Sequence, residues 1–217
     1  MAPDSQDRSQ PELSAAALRE WSEQVECVLR GMAHALNNRA AALSAVMELA
    51  DSPEDSRVIP SLLRTELDRM RDLVSVVRTL SAPKGGSDAF PASDAADEAA
   101  AILRLHVAHR DHQVVIDATG APPVRLERWM LVRALIALGA SSPAKEAPNI
   151  LLAGSDEWLV ARLNGPSAPS VRVTPFVSEL AVAMGGEPLR PQEGCGFRVP
   201  TLAAIRQREG RAAASAT

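Results

Sequence analysis

The sequence predicts an α+β protein: an N-terminal antiparallel helical hairpin that dimerises into a four-helix bundle, followed by a reduced α/β sandwich. Three observations carry this. From about Leu13 to Ala50 there is no proline and a single glycine, Gly31, while apolar residues recur at helical spacing. Ala82-Pro83-Lys84-Gly85-Gly86-Ser87-Asp88 then reads as a linker. Beyond it, short β-rich runs alternate with amphipathic stretches and Gly/Pro turns, the pattern of mixed helix and strand.

Met1 to Gln10 and Gly210 to Thr217 lack large apolar periodicity and read as frayed ends. The first helix carries Val25, Val28, Leu29, Met32, Leu36, Leu43, Val46 and Met47 and spans about 57 Å if some 38 residues are helical. It stops at Asp51-Ser52-Pro53-Glu54-Asp55-Ser56, a cluster of turn formers that also offers an N-cap to the next helix. That second helix places Leu63, Leu67, Met70, Val74 and Val77 in a 4-3-4-3 alternation. Two helices with such broad stripes cannot bury both flanks against each other, so a second copy is expected, giving a homodimer. These residues form a first domain over 12–82.

A second domain is expected over 93–203. It holds a helix from Ser93 to His109, a strand at Val114 to Asp117, and a helix from Glu127 to Ala140. A β-hairpin comes next at Asn149 to Ala153 and Glu157 to Leu163, turning at Gly154-Ser155-Asp156. A helix from Val173 to Met184 closes at Gly185-Gly186, and Gly196 to Pro200 is the last strand.

Composition narrows function. The 217 residues carry a net charge of −4, so no global basic field exists to neutralise nucleic-acid phosphates, and nucleic acid is not an expected partner. No apolar run approaches a bilayer span and the N-terminus lacks a signal-peptide pattern, which predicts a soluble, cytoplasmic protein with no membrane attachment. Cys27 and Cys195 lie far apart, which excludes a disulfide framework or a cysteine-rich zinc site. Aromatic residues are only 3%, so the core is built from small aliphatic side chains.

The chemistry centres on His34. With Val25, Val28, Met32, Ala35, Ala42, Val46 and Leu49 as the buried seam, His34 projects outward and Asn38 lies one turn further along the same face. An exposed imidazole is a nucleophile near neutral pH, although a lone surface histidine is ordinarily only a solvated side chain. Its setting distinguishes it: His34-Ala35-Leu36-Asn37-Asn38, followed by Ala41 to Leu49, resembles the phospho-acceptor box of dimeric two-component histidine kinases. The hairpin resembles their dimerisation and phosphotransfer domain. The resemblance implies that His34 carries a phosphoryl group and that the hairpin dimerises.

The second half resembles the kinase ATP-binding domain in decayed form. At the places of two metal- and nucleotide-facing Asn residues stand Leu135 and Gly139. Leu163-Asn164-Gly165-Pro166 resembles the Asp-Asn-Gly-Pro box, with Leu163 in place of the adenine-recognising Asp. Few residues are left for an ATP lid, while Gly185-Gly186 and Gly194 to Pro200 resemble the terminal glycine box and closing strand. These losses remove Mg²⁺ ligands and a purine acceptor, so no cofactor is expected on this chain. Ala35 replaces the acidic neighbour that assists attack on ATP, a further loss of about 10²–10⁴-fold.

Transfer from an aspartyl phosphate asks for less, because a response-regulator receiver domain brings its own acyl phosphate and Mg²⁺. The resemblance therefore implies a phosphorelay histidine phosphotransferase that works through His34 with receiver domains as partners; a sensor histidine kinase is a further partner class it allows. Asn38 stands where some kinases orient water against the receiver's phosphate, which makes receiver phosphatase activity an alternative. A non-catalytic pseudokinase that docks a receiver or a kinase is another. Arg30, one turn before His34, is a candidate phosphoryl contact against the simpler reading of a solvated surface arginine. His106, His109 and His112 form an H-x2-H-x2-H run, for which interaction with a helix C-terminus is favoured over a metal site. Trp129 and Trp158 are expected to anchor the second domain and Trp21 to pack in the bundle.

Overall fold

The computed structural model describes residues 12–49, 59–81 and 86–215. The expected turn at Asp51 to Ser56 and the first part of the linker lie outside them. Helix α1 (Ala15–Leu49) runs for 35 residues, about 52 Å. The Ser14 hydroxyl accepts from the Ala17 backbone N–H at 3.2 Å and so caps its first turn. Helix α2 (Ile59–Leu80) returns along it, with Arg78 in the last turn where a cation suits the helix dipole.

The seam between the two helices differs from the expected one. On α1, Val28, Met32 and Val46 are buried as expected, with Val25, Ala35 and Ala42 half-buried. On α2, however, the buried residues are Glu66, Leu73 and Val76, whereas Leu67, Val74 and Val77 remain 52%, 56% and 43% exposed. The periodicity marks a helix correctly, but the apolar set splits into two faces. One meets α1, helped by Arg39 Nη1 bridging to Glu66 at 3.2 Å, and the other is left exposed among the described residues.

The α+β body begins earlier and ends later than expected. Strand β1 (Asp88–Phe90) starts inside the linker stretch, followed by α3 (Ala92–Leu103). The helix expected to reach His109 stops there, and residues 104–112 fold as successive turns. Then come β2 (Val115–Asp117), β3 (Val124–Leu126), α4 (Arg128–Ala140), β4 (Asn149–Gly154) and β5 (Trp158–Leu163). Helix α5 (Pro175–Ala183), capped by Thr174, leads to β6 (Glu187–Pro188), β7 (Gly196–Pro200) and α6 (Leu202–Ser215). The stretch expected to fray from Gly210 is therefore helical to Ser215, carried by alanine and arginine propensity on a helix in which only Ala204 is buried.

The main sheet has the order β2-β4-β5-β7-β6, with β2 and β4 parallel and the other neighbours antiparallel; β1 and β3 form a separate antiparallel pair. Ile150, Leu152, Leu159, Ala161, Leu163, Phe197 and Val199 alternate along the strands and are buried beneath the helices, as period-two patterning requires. Helix α4 is enclosed so fully that every residue from Met130 to Gly139 is buried. Val28, Met32, Leu73 and Val76 of the hairpin belong to the same hydrophobic core as the body. No helix among the described residues is long and apolar enough to cross a membrane.

Candidate functional site

His34 lies near the middle of α1 and is exposed. An uninterrupted helix fixes its direction. At 3.6 residues per turn it sits about 160° around the axis from Leu36, so it points away from the apolar stripe formed by Leu18, Leu29, Leu36 and Met47. Asn38, one turn on, brings its amide Nδ2 to 3.3 Å from His34 Nε2. An amide N–H donates, so in this pairing Nε2 is the acceptor. The Nε2 lone pair is engaged by this bond and becomes the nucleophilic face of the site when the Asn38 amide turns away, which also frees that amide to donate to an incoming oxygen.

Arg30 does not join this pair. Its Nη2 bonds Glu26 Oε1 at 2.6 Å on the exposed surface, which holds the guanidinium toward the preceding turn of α1. The sequence thus brings His34 and Asn38 together correctly, while the expected phosphoryl contact from Arg30 is engaged elsewhere.

Gly31, the single glycine of the stretch, marks a close approach that the sequence alone does not identify. A Cβ built on Gly31 would stand 1.6 Å from the Leu105 carbonyl oxygen, so the turn after α3 presses on α1 one turn before His34. Further along the same interface His106 Nε2 lies 3.0 Å from Gln24 Oε1. Toward the start of α1, Trp21 stacks on Phe176 with ring centroids 4.9 Å apart, and Glu20 accepts from the Phe176 N–H at 3.0 Å. Arg133 of α4 lies 5.1 Å from the Trp21 ring centroid and 4.7 Å from that of Trp129, and donates to the Leu80 carbonyl at 2.8 Å. A single guanidinium therefore joins α1, α2 and α4. The expectation that Trp21 packs within the bundle is corrected: it faces the body. Trp158 also departs from its expected core role, lying half-buried beside Arg198 at 5.0 Å.

The body positions expected to have lost nucleotide contacts are packed with apolar side chains. Leu135 is fully buried and Leu163 nearly so. A Cβ at Gly139 would meet Leu103 Cδ1 at 2.5 Å, so no larger side chain fits there without displacing Leu103. After Leu163 the chain makes a short loop in which Glu146 accepts hydrogen bonds from the Ser167 hydroxyl and backbone N–H.

The histidine run does not assemble as a ligand set. His106 and His109 stack at 5.1 Å between centroids and are both buried, while His112 bonds the Ala144 carbonyl at 3.1 Å. Among the described residues, no group of three His, Cys, Asp or Glu side chains is placed to hold a metal ion. The three rings lie past the end of α3, and His109 is near the Ala140 carbonyl at the end of α4. Burial raises the Cys195 thiol above its ordinary value, which makes it an inert core residue.

No protein-family model matches this chain, and no curated protein matches it.

Proposed function

We propose that the protein is a homodimeric, cytoplasmic histidine phosphotransferase that passes phosphoryl groups between receiver-domain aspartates through His34. The observation that carries this reading is an exposed imidazole whose Nε2 faces an amide donor 3.3 Å away, on a chain whose body has apolar packing at Leu135, Gly139 and Leu163. The first supports phosphoryl acceptance; the second supports a source outside this chain. Attack by His34 Nε2 on an aspartyl phosphate forms the N–P bond, breaks the acyl P–O bond and releases the receiver's carboxylate. The reverse reaction delivers the group to a second receiver. The receiver brings the Mg²⁺ that this exchange needs.

The dimer rests on the two uncovered stripes. Leu18, Leu29, Leu36 and Met47 of α1 and Leu67, Val74 and Val77 of α2 are exposed. Taking 100° per residue and opposite chain directions, both stripes fall on one side of the hairpin, opposite the side that holds the body. A second copy seated there closes a four-helix bundle and leaves His34 open to a third protein.

The test is label transfer from phosphorylated receivers to the purified chain. Wild type should acquire acid-labile label within the mixing time of a matched receiver, and His34→Gln should acquire none while keeping its thermal transition. Equal labelling of His34→Gln would overturn the proposal. The contact between Asn38 and His34 favours receiver dephosphorylation as a second reading: in that case Asn38→Ala would keep the label on His34 and abolish the loss of receiver phosphate.

A further inference from the structure

The turns that come after α3 hold the buried His106 against α1 and bury His109 beside it. His106 is 4% exposed and His109 fully buried, with their rings stacked. His106 has both nitrogens engaged: Nε2 faces Gln24 Oε1 at 3.0 Å and Nδ1 accepts from the Ala108 N–H at 3.3 Å. An amide oxygen can only accept, so Nε2 carries the proton, and with Nδ1 accepting the ring is neutral. A second proton on Nδ1 would face the Ala108 N–H and break that bond. His109 has neither ring nitrogen hydrogen-bonded, although both are buried. A charge there would lie beside any charge on His106.

The surroundings offer little compensation. On α1 the contact is the uncharged Gln24. From the end of α4 the nearby group is the Ala140 carbonyl, which favours a proton on His109, while His112 on the same connection opposes it. Arg110 and Asp111 pair with each other at 3.5 Å on the surface. Burial, then the neighbouring His109, pushes the His106 imidazole down to about 4, and burial lowers His109 as well.

We infer that residues 104–112 form an acid-sensitive latch that holds the body against α1 one turn before His34, and that protonation of the His106–His109 pair opens it. The same turns carry the Leu105 carbonyl that presses on Gly31, so their opening releases both fastenings on this part of α1. Linkage gives the sign of the pH dependence. The closed latch holds neutral rings and the open one frees them to titrate near 6.5, so closure is fully favoured above that pH. It weakens as pH falls from 6.5 toward the closed-state value of about 4 for His106. Such a latch operates whether or not His34 carries a phosphoryl group.

Hydrogen exchange of the full chain at pH 7.5 and pH 5.0, corrected for intrinsic rates, tests it. Protection at 104–112 and at 22–33 should fall about tenfold or more at pH 5.0, while β4, β5 and β7 keep theirs. The variant His106→Gln/His109→Phe, which keeps a buried ring at 109 and an amide at 106 and removes the titration, should hold its protection at pH 5.0. Unchanged protection in wild type overturns the latch, as does simultaneous loss across the sheet or equal loss in the variant. If the variant fails to fold, the imidazole signals of ¹⁵N-histidine in wild type decide: rings that titrate freely near 6.5 without loss of protection overturn it, and rings that stay neutral until the latch opens uphold it.

Discussion

Gly31 concentrates the cost of bringing two parts of the chain together. Its α-carbon faces the Leu105 carbonyl so closely that an added methyl group would stand 1.6 Å from the oxygen. Backbone cannot yield as a flexible side chain can, so Gly31→Ala must push α1 away from the turns after α3. The helical propensity gained by alanine, about 1 kcal/mol, opposes an overpacking cost of about 1–3 kcal/mol, and loss of the Gln24–His106 bond adds to the penalty. Urea unfolding should therefore give a lower midpoint for Gly31→Ala. By contrast Gly210→Ala, in open space on α6, should be neutral or stabilising. A raised midpoint for Gly31→Ala would show that the helix need not approach this closely. Arg133 is a second residue of this kind, a buried cation with no carboxylate beside it among the described residues, held by two indoles and one carbonyl. Its charge is tolerated because the π faces and the C-terminal end of α2 supply negative potential from three directions.

At the scale of elements, α2 shows what periodicity reveals and what it leaves open. Leu63, Leu67, Met70, Val74 and Val77 identify a helix correctly, yet the side that meets α1 runs through Glu66, Leu73 and Val76. A charged residue in that seam hid it from sequence. Glu66 stays ionised there because, although burial alone would raise its carboxyl, hydrogen bonds from Arg39 and Arg69 hold it below its ordinary value. Arg39 comes from the other helix, and that pairing exists only once the hairpin has closed. The exposed stripe then makes a prediction about assembly. Leu67→Asp/Val74→Asp places two charges on the uncovered side and should turn a dimer into a folded monomer in sedimentation, with its circular dichroism retained. Leu73→Asp, on the buried side, should unfold the hairpin instead. A double variant that sediments as wild type would mean that the stripe is not the interface. The same logic explains α3. Its helical pattern extends to His109, but the chain leaves the helix at Leu103, after which His106 turns inward to reach α1 and His109 is buried beside it, a contact with no local signature. The β4–β5 hairpin was legible because its strands and its turn are neighbours in sequence. By contrast β1 and β3 have three residues each and pair across a helix, too short a pattern to stand out.

For the molecule as a whole, hairpin and body share one core and are fastened through Trp21–Phe176, Arg133–Leu80 and Gly31–Leu105. A kinase-like arrangement would need the body to carry a nucleotide to His34. Here the inner face of the body is occupied by its own side chains: Leu135 is buried, Leu103 fills the space beside Gly139, and Leu163 lies beneath the sheet's helical cover. The loop after Leu163 is tied down by Glu146 through Ser167. Admitting a purine and three phosphates would require several of these contacts to break, and no carboxamide or carboxylate at those three positions would compensate. Thermal unfolding with excess MgATP or MgADP should therefore show no shift. A nucleotide held in a folded site at 100 times its dissociation constant would stabilise the protein by about 2.7 kcal/mol, a change of several degrees for a chain of this length. Such a shift would mean that the packing around Leu135 and Gly139 opens, and it would move the source of the phosphoryl group from a partner to the protein itself. Labelling from MgATP lost in His34→Gln would then place that phosphoryl group on the same imidazole. An unshifted transition together with receiver-dependent labelling would leave the body as a fixed support for the bundle.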